Sequence, residues 1–262
     1  MDLDLIYLLL FAFTAGYIDS SVGGGGLIQL PAYLIFAPHL SLATALGSNK
    51  LSSFMGTVVA TIRYLLSTKV IWKAVIPALI SCMIFSFVGA KMVVGFNTEY
   101  LRIVILLLLV AVAIYTFFKK DLGLHHNPKL GKRATLILSI LTGAILGFYD
   151  GFFGPGAGSF MILAYVMLFG FNFLNASASA KIINCGTNLA ALVFFVYEGH
   201  VDFKLALPVG ICNMIGAWLG ARMAVKRGSE VVRVFFLIIV SGLILKFTYD
   251  IFICRCKNGS GV

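Results

Sequence analysis

The fold of this chain is decided by residues 16–31, which read GYIDSSVGGGGLIQLP. The four consecutive glycines, Gly23, Gly24, Gly25 and Gly26, do not favour a continuous helix, because each gives up backbone entropy and adds no side chain to the packing. The flanks on both sides are strongly apolar. The stretch therefore predicts a helix that is interrupted at the glycines and resumes after them.

A second stretch of the same kind covers residues 147–159, which read GFYDGFFGPGAGS. Here a proline adds a missing N–H donor and a fixed φ angle to the interruption. Asp19 of the first stretch corresponds to Asp150 of the second, at an offset of 150 − 19 = 131. The same offset relates further pairs without a gap: Ser48 and Ser179, Lys50 and Lys181, Pro77 and Pro208, Gly89 and Gly220, Arg102 and Arg233. An ungapped register of this length predicts two homologous repeats.

The composition of the chain is strongly apolar. Mean hydropathy is +1.01, 60% of the residues are hydrophobic and only 11% are charged. Apolar runs such as 3–22, 71–94 and 103–118 are long enough for helices that cross a hydrocarbon core of about 30 Å. We attribute the formal net charge of +10 to basic loops that face anionic lipid, and we expect no nucleic-acid partner. These properties exclude an ordinary soluble domain and predict an integral membrane protein.

The predicted architecture is an all-α membrane protein, a polytopic helical bundle of about eight membrane segments. Residues 1–118 form the first repeat with four segments, residues 119–133 form a basic linker, and residues 134–262 form the second repeat with four segments. The glycine-broken helix that opens each repeat is either one tilted span or a re-entrant hairpin. Both choices place the linker on the side with more Lys and Arg, so we expect it in the cytoplasm.

The two helix breaks are also the best candidates for a binding site. Backbone groups that a broken helix exposes inside a membrane must be buried in protein or line a water-filled cavity. The helix that resumes after each break offers N–H groups with a partial positive charge, which favour an anion. Paired halves that are interrupted at corresponding positions are typical of secondary transporters with a site near the bilayer midplane. The predicted substrate-binding residues are Gly23, Gly24, Gly25, Gly26, Gln29, Ser48, Asn49, Lys50, Ser53, Gly154, Gly156, Gly158, Ser159, Ser179, Lys181, Asn184 and Asn188.

Four charged residues within apolar segments carry most of this hypothesis. Lys50 and Lys181 occupy the same place in each repeat. Three roles are open for them: to line an anion site, to extend to the membrane surface, or to bond to the ends of the broken helices. Asp19 and Asp150 are either proton carriers, counter-ions of the lysines or helix caps. A small anion, the lipid bilayer and a coupling proton are therefore the predicted partners, and the oligomeric state is left open.

The sequence does not favour an enzyme. Two aspartates in membrane segments are typical of intramembrane aspartyl proteases, but the Gly-x-Gly-Asp motif that would accompany Tyr149-Asp150 is absent from the sequence. The zinc-binding motif His-Glu-x-x-His is absent as well, and the cysteines lack metal-ligand spacing. We therefore expect neither catalytic residues nor a metal or cofactor.

The two broken stretches, together with Ser48-Asn49-Lys50 and Ser179-Ala180-Lys181, resemble the TauE/SafE family of sulfite exporters and membrane transporters. The likeness extends over almost the whole chain and includes the turn at 199–202 and the small-residue face at 216–221. The resemblance implies a carrier of a bacterial-type plasma or inner membrane. Its implied substrates are sulfur-containing anions such as sulfite, sulfoacetate and sulfonates.

The sequence and the resemblance together predict a secondary transporter, an exporter or permease for small anions. Alternating access would move one repeat against the other around the site. Two alternatives stay open at this point: a carrier or channel for another small solute, and a membrane subunit that does not transport.

Overall fold

A computed structural model of the chain describes residues 3–94, 127 and 130–258, with side chains described as far as Val232 and at Val234 and Ile238. The described part is helical and contains no strand, which confirms the all-α fold class. Its eight helices are α1 (Leu3–Val22), α2 (Gly26–Phe36), α3 (Leu42–Leu65), α4 (Trp72–Val93), α5 (Lys132–Phe152), α6 (Ala157–Met167), α7 (Phe173–Tyr197) and α8 (Phe203–Asn258). Gly228, with φ of 77°, interrupts α8.

Five of these helices are long and apolar enough to cross a membrane: α1, α4, α5, α7 and the Phe203–Val232 part of α8. With 24 residues α3 is also long enough, but its buried polar side chains lower its mean hydropathy. Both α2 and α6 have 11 residues, which is about half of what a span requires. The chain is therefore a multi-pass helical membrane protein.

The glycine-rich stretches break the helices where the sequence predicts. Gly23 and Gly24 adopt φ of 79° and 89° between α1 and α2, and Gly154 and Gly156 adopt φ of 88° and 83° between α5 and α6. These left-handed conformations are readily accessible only to glycine. Each break therefore allows a sharp reversal of the chain.

Both breaks form hairpins rather than tilted continuous spans. At the end of α2 the ring of Phe36 lies 5.5 Å from that of Tyr7 and 5.6 Å from that of Phe11, so α2 runs back along α1. Beyond α6, Phe169 and Phe171 line the same groove as Thr135 in the first turn of α5. The question that the sequence left open is thus answered in favour of hairpins.

The six long helices run in two opposite directions. Close contacts join residues 13–21 of α1 to residues 213–220 of α8 in the same order along the chain. Residues 48–56 of α3 contact residues 202–213 of α8 and the turn before it, again in the same order. These three helices are therefore parallel. Helix α7 runs antiparallel to α3, because its later residue Asn188 contacts the early Lys50 of α3, whereas the carbonyl of its earlier residue Lys181 accepts from the later Thr61. Parallel to α7 run α4 and α5.

These directions group the long helices into two bundles of three, which we call bundle A (α1, α3 and α8) and bundle B (α4, α5 and α7). In each bundle one pair packs most extensively, α1 with α8 and α4 with α5. Glycines make this close approach possible: a Cβ at Gly147 would lie 2.6 Å from the Cα of Cys82 in α4. Each bundle thus combines helices from both halves of the sequence, and the two bundles meet along α3 and α7.

Helices at corresponding positions of the two halves run in opposite directions, as α3 and α7 do. An inverted repeat would produce this arrangement, but the duplication itself stays a prediction. The predicted membrane segment at 99–118 and most of the linker at 119–133 lie outside the described residues. The last two residues of the segment predicted as a linker, Lys132 and Arg133, form the start of α5.

Candidate functional site

The two hairpin tips meet backbone to backbone at the junction of the bundles. A Cβ at Gly23 would lie 2.5 Å from the carbonyl carbon of Gly158, so only glycine fits there. The hydroxyl of Ser159 donates to the carbonyl of Val22 across the same contact, at 3.3 Å. The first turns of α2 and α6, which carry partial positive charge, therefore approach each other at this point.

Lys50 of α3 binds bundle B through its ammonium group. Its Nζ donates to Oδ1 of Asp150 at 3.0 Å, to the backbone carbonyl of Asp150 at 2.7 Å and to Oδ1 of Asn188 at 3.2 Å. The side chains of Lys50 and Asp150 are only 4% and 3% exposed. All three ammonium protons are thus accounted for by protein acceptors, and the charge is paired within the interior.

Lys181 of α7 makes the reciprocal contact with bundle A. Its Nζ lies 2.6 Å from Oδ2 of Asp19 in α1. The other oxygen of this carboxylate, Oδ1, accepts from the backbone N–H of Gly25 at 3.2 Å, at the start of α2. Asp19 therefore combines two of its three predicted roles, as a counter-ion of a lysine and as a ligand of the helix end after the break.

The two ion pairs have the same arrangement. Each joins a lysine of one half of the sequence to an aspartate of the other half, and each joins bundle A to bundle B. Neither lysine extends to the membrane surface, since Lys50 is 3% exposed and Lys181 is fully buried. The four charges sum to zero, so a bound anion has to compete with a carboxylate for a lysine.

A small cavity of about 20 Å³ lies between the ion pairs and the hairpin tips. All the residues that line it were predicted from the sequence: Asp19, Gly24, Gly26, Asn49, Lys50, Ser53, Asp150, Gly154, Gly156, Gly158, Asn184 and Asn188. The amides of Asn184 and Asn188 are linked to each other, with Nδ2 of Asn188 donating to Oδ1 of Asn184 at 2.9 Å. A volume of this size holds about one water molecule, so the described arrangement is closed to a larger solute.

The remaining predicted site residues lie beside the cavity and serve the scaffold in this arrangement. Ser48 accepts from the backbone N–H of Asp202 at 2.9 Å, and Ser179 donates to the carbonyl of Asn175 one turn earlier in its own helix. Gly23 and Ser159 form the hairpin contact, and the N–H of Gly25 donates to Oδ1 of Asp19. Lys181 reaches the cavity only through its partner Asp19.

Gln29 of α2 is buried but points to α8 instead of the cavity. Its Oε1 accepts from Nδ2 of Asn213 at 2.6 Å. Asn213 was not among the predicted residues. The available signal was an amide in an otherwise apolar run, and the same helix carries Gly210 and Gly216 on either side of it.

Comparison with known proteins shows the family of this chain. The profile of the family described as Sulfite exporter TauE/SafE matches residues 8–247. The chain belongs to the TauE/SafE family. This confirms the resemblance identified from the two broken stretches.

Several relatives of this TauE/SafE chain carry the name probable membrane transporter protein. One from Sinorhizobium sp, ORF9, is 35% identical over 247 residues, which is 94% of this chain and 93% of the relative. One from Haemophilus influenzae is 33% identical over 95% of this chain and 97% of its own length. YfcA of Escherichia coli K12 is 34% identical over 93% of this chain and 89% of its own length. No solved structure matches the chain.

Proposed function

We propose that this protein is a secondary transporter that moves a small anion across the membrane by alternating access. The observation that carries the proposal is the cavity at the meeting point of two broken-helix hairpins, with a buried lysine on its wall and the positive ends of α2 and α6 facing it. Such a site is suited to binding and releasing a small charged solute. It offers no nucleophile paired with a base, so we infer a transporter rather than an enzyme.

The proposed substrates are sulfur-containing anions such as sulfite, sulfoacetate and sulfonates. The name of the family, sulfite exporter, supports this class. The glycine backbones at the cavity permit close approach of an oxyanion, while Ser53 and Asn49 supply neutral polar groups around it. Because the cavity holds about one water, entry of an anion requires that the ion pairs and hairpin tips separate.

The packing suggests which parts move. Bundle A and bundle B are each tightly packed internally through glycine contacts, and the two ion pairs connect them. We infer that the bundles rock against each other around the cavity. Each moving unit would then consist of helices from both halves of the sequence. The proposed location is a bacterial-type plasma or inner membrane, with residues 119–133 in the cytoplasm.

A flux assay with purified protein in liposomes tests the proposed function. Sulfite, thiosulfate, sulfoacetate and methanesulfonate are offered one at a time, with acetate and phosphate as non-sulfur anions. We expect saturable uptake of at least one sulfur anion above that of protein-free vesicles. Lys73→Met serves as a matched control, because Lys73 is an exposed lysine at the start of α4 and its loss should leave uptake unchanged.

A carrier for a zwitterionic or neutral solute is the second candidate. It is favoured by one observation, that the four charges around the cavity balance without any substrate. Adding glycine as a zwitterion and glycerol as a neutral solute to the same assay distinguishes the candidates. Saturable uptake of one of these, with no uptake of any sulfur anion, would replace the anion proposal.

A further inference from the structure

The two aspartates that hold the lysines differ in how their oxygens are satisfied. In Asp19 both carboxylate oxygens have partners, Lys181 at 2.6 Å and the N–H of Gly25 at 3.2 Å, and the side chain is 18% exposed. This carboxylate is fully engaged as an anion.

Asp150 has one satisfied and one unsatisfied oxygen. Oδ1 accepts from Lys50 at 3.0 Å, but Oδ2 is buried and no donor among the described residues lies within hydrogen-bond distance of it. A buried carboxylate oxygen without a donor is unfavourable in the ionised form. A proton on Oδ2 would convert it from an acceptor into a donor, and Asn49, whose own Oδ1 is buried without a donor, lines the same cavity.

The charged and titratable groups around Asp150 come from four helices, of which α1 contributes Asp19, a second carboxylate that lines the same cavity. From α3 comes Lys50, from α4 the thiol of Cys82, and from α5 itself the phenol of Tyr149, whose hydroxyl donates to the carbonyl of Pro155. The side chains that α7 presents at this cavity are the amides of Asn184 and Asn188, and the sequence of α6 contains no acidic or basic residue. Lys50 is therefore the one cation among the described residues that pairs with this carboxylate.

Anion binding at Lys50 conflicts with that pairing. The three N–H donors of Lys50 are taken by Asp150, through Oδ1 and its carbonyl, and by Asn188. An anion added to the balanced cavity would leave one uncompensated negative charge in the protein interior, which is strongly unfavourable. Protonation of Asp150 removes one negative charge, frees a donor on Lys50 and restores neutrality when the anion binds.

We propose that Asp150 is the proton-binding group of the transport cycle and that one proton crosses with each singly charged anion. A proton from one side of the membrane forms an O–H bond at Asp150, and the anion takes the released position on Lys50. After the bundles rock, the anion leaves, the O–H bond breaks on the other side and Asp150 pairs with Lys50 again. This inference rests on the proposed function.

The test compares exchange with gradient-driven accumulation of methanesulfonate, a sulfonate that stays singly charged over the pH range used, with sulfite in parallel. Exchange of internal for external anion needs no deprotonation, whereas accumulation driven by an acidic exterior does. In Asp150→Asn the residue is permanently neutral, like the protonated acid. We expect this variant to retain exchange. Its accumulation driven by the pH gradient should be at least tenfold lower than that of the wild type.

A further aspartate serves as the control. Asp202 lies outside the cavity and its Oδ1 caps the first turn of α8 by accepting from the N–H of Leu205, a role that asparagine also fills. Asp202→Asn should match the wild type in both exchange and accumulation.

Each result decides the inference. Gradient-driven accumulation that persists in Asp150→Asn would overturn the assignment. Wild-type accumulation that ignores the pH gradient, or follows a sodium gradient, would overturn proton coupling and leave the transport function intact. Absence of wild-type exchange for both anions would remove the proposed function as well.

A second measurement covers the case in which Asp150→Asn does not fold, because it would leave Lys50 buried without its counter-ion. Infrared difference spectra of the wild type are recorded with and without methanesulfonate. We expect a carboxylic-acid C=O band to appear on binding and to change its frequency in Asp150→Glu, which retains the charge. A band that is absent, or unaffected by Asp150→Glu, would contradict the inference.

Discussion

At the residue scale, the identities of the charged groups could be predicted but their pairing could not. The offset between the halves matches Lys50 with Lys181 and Asp19 with Asp150, like with like. The structure instead joins Lys50 to Asp150 and Lys181 to Asp19. Such pairs depend on the antiparallel contact of α3 and α7, which no local pattern in the sequence encodes.

The two ion pairs should differ in what their loss does to stability. Lys50→Met leaves Asp150 unpaired and 2% exposed, whereas Lys181→Met leaves Asp19 with its bond from Gly25 and partial access to solvent. Breaking a buried ion pair costs about 3–5 kcal/mol. We expect Lys50→Met to approach that loss and Lys181→Met to lose clearly less, as measured by thermal unfolding in detergent.

Lys73→Met, on the exposed first turn of α4, is the reference for a lysine that makes no buried pair. Its unfolding midpoint should equal that of the wild type. Equal midpoints for Lys50→Met and Lys73→Met would show that the Lys50 pair contributes nothing to the fold.

The hydroxyl groups illustrate a limit of prediction at the same scale. Ser53 lines the cavity, but Ser179 bonds to a carbonyl one turn earlier and Ser48 accepts from the start of α8. A hydroxyl in a membrane helix can turn to its own backbone, to a neighbouring helix or to a cavity. All three were predicted as site residues, and the sequence could not distinguish these outcomes.

At the element scale, the positions of the breaks were predictable, because glycine readily adopts a φ near +80°. The direction that the chain takes after each break was not predictable. A tilted broken span and a hairpin use the same residues. The hairpin is decided by contacts distant in sequence, such as Phe36 with Tyr7. The short lengths of α2 and α6 follow from the same geometry, since each needs only to reach back partway along its partner helix.

The glycine face between α4 and α5 gives a prediction for these elements. A Cβ at Gly151 would meet the carbonyl of Ser86, with the carbonyl carbon 2.6 Å away, and backbone atoms have little room to yield. Overpacking of this kind costs about 1–3 kcal/mol. We expect Gly151→Ala to lower the thermal unfolding midpoint accordingly.

The matched control is Val88→Ile, which also adds one carbon but on the outward face of α4, where Val88 is 41% exposed. Its midpoint should stay at the wild-type value. If Gly151→Ala were as stable as Val88→Ile, the close approach of α4 and α5 would not be a property of the folded protein.

At the scale of the whole molecule, composition and the two breaks were sufficient to predict a multi-pass transporter, and the family match supports that reading. The division into bundles was not foreseen. The sequence suggests that residues before and after the linker form separate bodies, yet α8 packs on α1 and α4 packs on α5. Small residues on these helices permit the exchange, but they do not specify the partner.

The measurement that tests the account most directly is transport by a protein whose bundles are locked together. Native Cys185 of α7 lies one turn after Lys181, whose carbonyl accepts from Thr61 of α3, so Thr61→Cys should form a disulfide between bundle A and bundle B on oxidation. Mass spectrometry gives the cross-linked fraction, and uptake of methanesulfonate, which does not cleave disulfides, gives the activity. Thr61→Ser, and Thr61→Cys combined with Cys185→Ala, control for the substitution and the oxidant.

We predict that uptake falls in proportion to the cross-linked fraction and returns on reduction, while both controls are unaffected by oxidation. Fully cross-linked protein that carries methanesulfonate as fast as the reduced protein would contradict alternating access between the two bundles.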